Sequence, residues 1–188
     1  MQVLPSFSFG LLNGWLPLVA YFLGLIITVM TFPKTKRKKL FYEPQYPVGK
    51  PRWFILTTGR LAAISFVGLM IFTPLQLGTV FFYAGLVLFL CGFSIVIISL
   101  LDYKRAPTDQ MVIAGLYRYS RNPQWVGLVF IFLGTTVAVA IWLHFLLLAI
   151  LVFSYHYQIL LEEESCTQLY GDDYLNLMGE IPRYFLFK

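Results

Sequence analysis

The stretch QWVGLVFIFLGTTVAVAIWLHFLLLAILVFSYHYQILL, residues 124–161, contains no Asp, Glu, Lys or Arg. As one helix it would be about 57 Å long at 1.5 Å per residue, nearly twice the ~30 Å of a bilayer's hydrocarbon. It therefore reads as a helical hairpin turning near Val137 to Trp142, although no Pro or Gly-Asn pair marks the turn. A re-entrant hairpin that does not cross fully is the other reading. Upstream, apolar runs extend from about Leu11 to Phe32, Phe54 to Thr73 and Leu77 to Leu101. Pro33 with Lys34, Lys36, Arg37, Lys38 and Lys39 stops the first, Pro74 the second and Asp102 the third. The 188 residues are 59% hydrophobic and 12% charged, too few charges to coat a water-facing surface. The expected fold is all-α and polytopic: one domain, 1–188, with about five transmembrane helices, the last two a hairpin.

Five spans place residues 33–53, 102–123 and 162–188 on one side of the membrane. Those segments hold every Lys and Arg except Arg60, and all nine acidic residues. The excess of basic residues predicts a cytoplasmic location for them and an N-terminus outside. Any polar site then faces the cytoplasm. The basic run 34–39 reads as a topology determinant that also binds anionic lipid. Arg60, two turns into the second span, reads as a snorkelling side chain or a partner for an anionic group at the surface. Phe41 to Arg52, rich in Pro, Tyr and Gly, reads as an ordered loop on the membrane. The first ten residues carry no basic side chain and the first apolar run is too long for a cleavable signal peptide. Cys91 lies in an apolar run and Cys166 in a polar tail, so no disulfide is expected. No strand followed by a glycine-rich turn occurs, which rules out the soluble methyltransferase fold, and no nucleic-acid partner is suggested.

Two polar segments carry the chemistry. The first is Gly115-Leu-Tyr-Arg-Tyr-Ser-Arg-Asn-Pro-Gln-Trp-Val-Gly127. Pro123 suits the first turn of the fourth span and Asn122 its N-cap, with the Asn side chain accepting from a free N–H. Capping does not account for Arg118, Tyr119 and Arg121 crowded at the boundary. The second is Ile159-Leu-Leu-Glu-Glu-Glu-Ser-Cys-Thr-Gln-Leu-Tyr-Gly-Asp-Asp-Tyr174, followed by Ile181-Pro-Arg-Tyr184. Three acids at a helix C-terminus oppose the macrodipole, so either the helix continues or the acids find cations. Arg118, Arg121 and Arg183 are on the same side to supply them, and a purely structural ion-pair network is one outcome.

Arg-Asn-Pro-x-Trp-x-Gly resembles the Arg-His-Pro-x-Tyr-x-Gly signature of isoprenylcysteine carboxyl methyltransferases and the Asn-Pro-Met-Tyr-x-Gly form of phospholipid methyltransferases. Glu-Glu, then Tyr-Gly-x-x-Tyr, then Ile-Pro-Arg is similar to the C-terminal block of the same superfamily. The resemblance covers Met111 to the C-terminus. It implies methyl transfer from S-adenosylmethionine to a lipophilic acceptor from the bilayer, a prenylated cysteine carboxylate or a phospholipid amine. It implies a cofactor pocket bordered by Arg121, Asn122, Pro123, Trp125, Gly127, Glu162 and Glu163. Glutamates suit the donor's ammonium and hydroxyls, and aromatic faces such as Trp125 and Tyr117 suit its sulfonium. Arg118 and Arg183, suited to an anionic group, and His156, a general base for an ammonium acceptor, are the candidate catalytic residues. Asn122 stands where the carboxyl branch has His and cannot titrate.

No metal is implied: His144 and His156 lack clustered partners, and His144 reads as interfacial beside Trp142. A sterol-type reductase using a nicotinamide cofactor has a similar terminal block but is typically larger with more spans. A small transporter conflicts with polar groups gathered on one face rather than along a path. The methyl acceptor and the oligomeric state are not specified by the sequence.

Overall fold

The computed structural model describes residues 3, 4, 6–40, 52–107 and 110–185. The expected loop from Phe41 lies, up to the helical Arg52, outside the described residues. The described part is all-α: α1 (Trp15–Met30), α2 (Lys34–Leu40), α3 (Arg52–Ile71), α4 (Val80–Arg105), α5 (Pro123–Val139), α6 (Trp142–Tyr170) and α7 (Asp172–Glu180), with a 3₁₀ turn at Gly115–Arg118. By length and composition, α4 and α6 can each cross a membrane; α1, α5 and the segment Leu56–Ile71 are shorter apolar helices. Only a third of the most apolar window of α4 is buried. Leu90 and Ile98 on α4, Leu23 and Ile27 on α1, and Leu146 and Phe153 on α6 point outward. A water-soluble protein would not leave so wide an apolar surface bare.

The hairpin turns at Ala140, inside the expected interval. Ala140 adopts a left-handed conformation (φ 55°), its N–H donates to the carbonyls of Thr136 and Val137, and Ile141 is the extended N-cap residue of α6. A left-handed alanine is the reason no Gly or Pro announced the turn.

Glycines govern how the helices meet. On α4, Gly85 and Gly92 stand two turns apart, as do Gly127 and Gly134 on α5. A methyl group on Gly92 would lie 2.5 Å from the Gly127 carbonyl oxygen, and one on Gly134 would lie 2.5 Å from the Phe89 nitrogen. The antiparallel backbones of α4 and α5 therefore touch, the close approach that small residues permit between membrane helices. Gly24 makes room for Phe93 between α1 and α4, and Gly59 for Ser154 between α3 and α6. Around these seams, Phe66, Met70, Phe132, Val139 and Leu151 form one buried cluster, and Tyr21, Phe89, Val96, Leu100 and Ile131 another. His144, two residues after Trp142, is fully buried against Phe66, with ring centroids 5.6 Å apart. Its position at the start of α6, next to the hairpin turn, turns the ring inward.

At the other end of the bundle the charged segments gather. α6 continues past Leu161 to Tyr170, so the three glutamates lie within the helix and not at its terminus.

Candidate functional site

The turn before α5 and the segment after α7 are knitted together. Arg121 N–H donates to the Pro182 carbonyl at 3.0 Å. The buried Ser120 hydroxyl donates to the Arg183 carbonyl at 3.0 Å and accepts from Asn122 N–H at 3.1 Å. Pro123 opens α5, as its missing N–H favours. Asn122 is the N-cap residue, but its side chain does not cap the helix. Instead its amide donates to Glu163 Oε1 at 3.2 Å. The expectation of a capping side chain is corrected here: a buried carboxylate is a stronger acceptor to satisfy than a terminal N–H is a donor.

Glu163 is the centre of this knot. One oxygen accepts from Arg121 Nε at 3.1 Å and lies 2.9 Å from its Nη2 in an ion pair; the other accepts from Arg183 Nε at 2.9 Å and lies 2.9 Å from its Nη2. Each guanidinium thus meets one oxygen of the carboxylate, and the bonds are charge-assisted on both sides. The remaining Arg121 nitrogen, Nη1, donates to the carbonyls of Met178 and Ile181 at 3.0 and 2.9 Å. These lie at the C-terminus of α7, where carbonyls lack helical partners and a cation is favoured. The side chains of Arg121 and Glu163 are 6% and 5% exposed, so the charges are shielded from water and depend on one another. Bonding to Glu163 pushes the Arg183 pKa up, fixing its charge.

Beside the knot lies a cavity of about 300 Å³. Glu162, one residue from Glu163, faces it, and its Oε2 accepts from Trp125 Nε1 at 3.3 Å. No cation pairs with Glu162 among the described residues. The indole of Trp125 leans on Tyr155, centroids 4.9 Å apart. Tyr103, Tyr117, Tyr170 and Tyr174 add further aromatic wall. Burial pushes the Tyr117 and Tyr174 phenols up, so they remain neutral hydroxyls at ordinary pH. Tyr117 is placed by two devices. Its hydroxyl accepts from Gln124 Nε2 at 2.9 Å. Its 3₁₀ turn is tied to α4 through Asp102, which accepts from Leu116 N–H at 2.9 Å. Gly115 (φ 61°) permits that approach, because any side chain there would strike the Asp102 carboxylate.

The opposite wall comes from α2. Lys36, 7% exposed, turns inward from the basic run, and its ammonium donates to the carbonyls of Tyr103 at 3.1 Å, Lys104 at 2.7 Å and Ala106. It thereby satisfies the open C-terminus of α4.

Among the residues expected from the sequence, Tyr117, Arg121, Asn122, Pro123, Trp125, Glu162 and Glu163 border this cavity together. Gly127 does not line it; it abuts Gly92 and Val96 in the α4–α5 seam. Nor do the three candidate catalytic residues line it. Arg183 is in the knot, Arg118 is exposed on the 3₁₀ turn, and His156 Nδ1 lies 2.8 Å from the Tyr184 hydroxyl. Lys36, Tyr103 and Tyr174 line the cavity without having been singled out. Tyr174 belongs to the Tyr-Gly-x-x-Tyr motif and could have been found there. Lys36 is one cation in a run of five with nothing to set it apart.

The phospholipid methyltransferase family model matches residues 80–173, half of the chain, from the start of α4 into α7. No curated protein matches the chain.

Proposed function

Because this chain belongs to the phospholipid methyltransferase family, whose members methylate lipids, we propose that it transfers a methyl group from S-adenosylmethionine to a lipophilic acceptor reaching the cavity from the bilayer. The observation that carries this reading is Glu162: a carboxylate facing a cavity walled in part by Tyr103, Tyr117, Trp125, Tyr170 and Tyr174, held by one neutral indole N–H and, among the described residues, by no cation. Such a site fits a ligand that brings its own positive charge. S-adenosylmethionine, when bound, supplies an electrophilic methyl group on a sulfonium and an ammonium besides. Glu162 suits the ammonium or the ribose hydroxyls, and the faces of Trp125 and Tyr117 suit the sulfonium, at roughly 0.5–2 kcal/mol each. The Glu163 knot holds the Arg121-Asn122-Pro123 turn against α6, fixing Trp125 opposite Glu162. Alignment of donor and acceptor and exclusion of water are the contributions this architecture favours.

In this reading Arg183 positions Glu163 and does not touch the reactants. His156, bonded to Tyr184 away from the cavity, holds the C-terminal segment rather than taking the acceptor's proton. Asn122 orders the turn and moves no proton. Phospholipid amines and isoprenylcysteine carboxylates are the acceptor classes considered. The apolar helices cross the membrane five times with the N-terminus outside, and the cavity opens to the cytoplasm, as the basic segments favour. The exposed Lys34 and Lys38 on α2 meet anionic lipid there.

The test is incubation of the purified protein with radiolabelled methyl donor and a panel of lipid extracts. Label should appear in a lipid fraction and depend on donor concentration. Absence of labelled lipid from every extract, together with no donor binding, would overturn the reading.

A further inference from the structure

Four charged side chains border the cavity: Glu162, Glu163, Lys36 and Arg121. Arg121 and Glu163 neutralise each other. Glu162 and Lys36 are left over, and among the described residues neither is paired with an opposite charge. Glu162 is met by an indole N–H and Lys36 by three peptide carbonyls, all neutral. The two come from different walls, Glu162 from α6 and Lys36 from α2. A buried charge without a counter-ion is costly, and a cavity bearing one of each sign is matched by ligands that supply both complements.

Capping alone does not account for Lys36 at this place. The last turn of α4 already carries the half-buried Lys104 and the exposed Arg105 as cations complementing its dipole. Lys36 differs in being 7% exposed and in bordering the cavity beside Tyr103. It also lies outside the family-matched residues 80–173.

We infer that Lys36 is a specificity-determining residue of the cavity, recognising an anionic oxygen group, phosphate or carboxylate, on a bound ligand while Glu162 faces the cationic part. The anion gains the ammonium's charge directly and takes over one N–H now given to a carbonyl. The inference rests on the proposed methyl-transfer reading for the ligand's identity, but its binding test needs no turnover. Two sources offer the anion: the lipid acceptor's phosphate and the donor's carboxylate.

The experiment measures equilibrium binding of two probes to the full chain in detergent micelles by calorimetry. One is S-adenosylhomocysteine, which carries the carboxylate; the other is a short-chain phosphatidylethanolamine, which carries the phosphate. Lys36→Met keeps the length of the side chain and removes the charge, whereas Lys36→Arg keeps the charge. Lys36→Met should weaken one probe by about tenfold or more, and Lys36→Arg should restore most of that loss. Loss confined to the phospholipid assigns the phosphate; loss confined to the homocysteine derivative assigns the carboxylate. Unchanged binding of both probes in Lys36→Met would make Lys36 a helix cap only and overturn the inference, whatever happens to the melting temperature. Loss of binding that Lys36→Arg fails to restore, or no binding of either probe to the unaltered protein, would overturn it as well. Phospholipid binding that depends on Lys36, with neither donor binding nor any methylated lipid, would uphold it while removing the reaction assigned above.

Discussion

Glu162 and Glu163 are neighbours on α6, about 100° apart around the helix axis, and they face regions built in opposite ways. On the Glu163 side the charges meet directly: two arginines and an amide converge on one carboxylate, and the Arg121 Nη1 closes α7. On the Glu162 side a carboxylate meets a single neutral donor across open volume. The knot is self-sufficient and supplies rigidity. The cavity is incomplete and, in the proposed reading, supplies binding. A residue's charge alone does not decide which of these it serves; the number of partners already satisfied does.

The comparison is broken most forcefully at Glu163. Glu163→Ala leaves Arg121 buried without a counter-ion, and breaking a buried pair in this way costs about 3–5 kcal/mol. Thermal or denaturant unfolding in mild detergent should show that loss, with activity falling alongside it. An unchanged unfolding midpoint would mean that the knot does not hold the C-terminal segment.

The two arginines should be unequal. Arg121→Ala removes the bonds to Glu163 and to the α7 carbonyls, whereas Arg183→Ala removes those to Glu163 alone from a side chain 25% exposed. The first should be the more destabilising by about 1–3 kcal/mol. Equal midpoints for the two variants would contradict the role given to the Met178 and Ile181 carbonyls.

Glu162→Gln should behave in the opposite manner to Glu163→Ala. No cation loses its partner, so the unfolding midpoint should move little. Affinity for S-adenosylmethionine, read by calorimetry, should fall by about 1.5–3 kcal/mol, the range for a bond to a charged group. A variant that binds the donor normally would take Glu162 out of the cofactor site.

Residue 122 offers the finest adjustment. Asn122→Leu loses the bond to Glu163 and should cost about 1 kcal/mol in stability. Asn122→His can still donate to the same oxygen and should leave methyl transfer substantially intact. If the leucine variant matched the parent in unfolding and in rate against donor concentration, the amide would have no part in holding the turn.

The sequence made the apolar hairpin legible because a charge-free stretch twice the bilayer thickness has few other solutions, and the turn at Ala140 falls where length alone put it. It also made legible that the Arg-Asn-Pro and Ile-Pro-Arg segments belong together, since both are polar and flank the hairpin. It did not separate Glu162 from Glu163, because that depends on the rotation of α6 relative to Arg121, and α6 carries no strong amphipathic stripe to fix its rotation. Nor did it reveal that Asn122 turns away from its helix, a choice made by a carboxylate 41 positions along the chain. Lys36 was hidden for a related reason: only the placement of α2 against the end of α4 distinguishes it from its basic neighbours.

The touching backbones of α4 and α5 also bear on which molecules the cavity can admit. Two rods pinned at Gly85–Gly134 and again at Gly92–Gly127 neither slide nor splay without parting their main chains. The Tyr103 corner rides on one rod and the Trp125 corner on the other, like the jaws of a caliper whose screw has been tightened. Room for a bulkier head group therefore does not come from spreading those jaws. It comes from the walls that hang on side-chain tethers, α2 on Lys36 and α7 on Arg121. The size of ligand the cavity admits is thus set by the two shortest of the described α-helices, while the α4–α5 pair keeps the gauge.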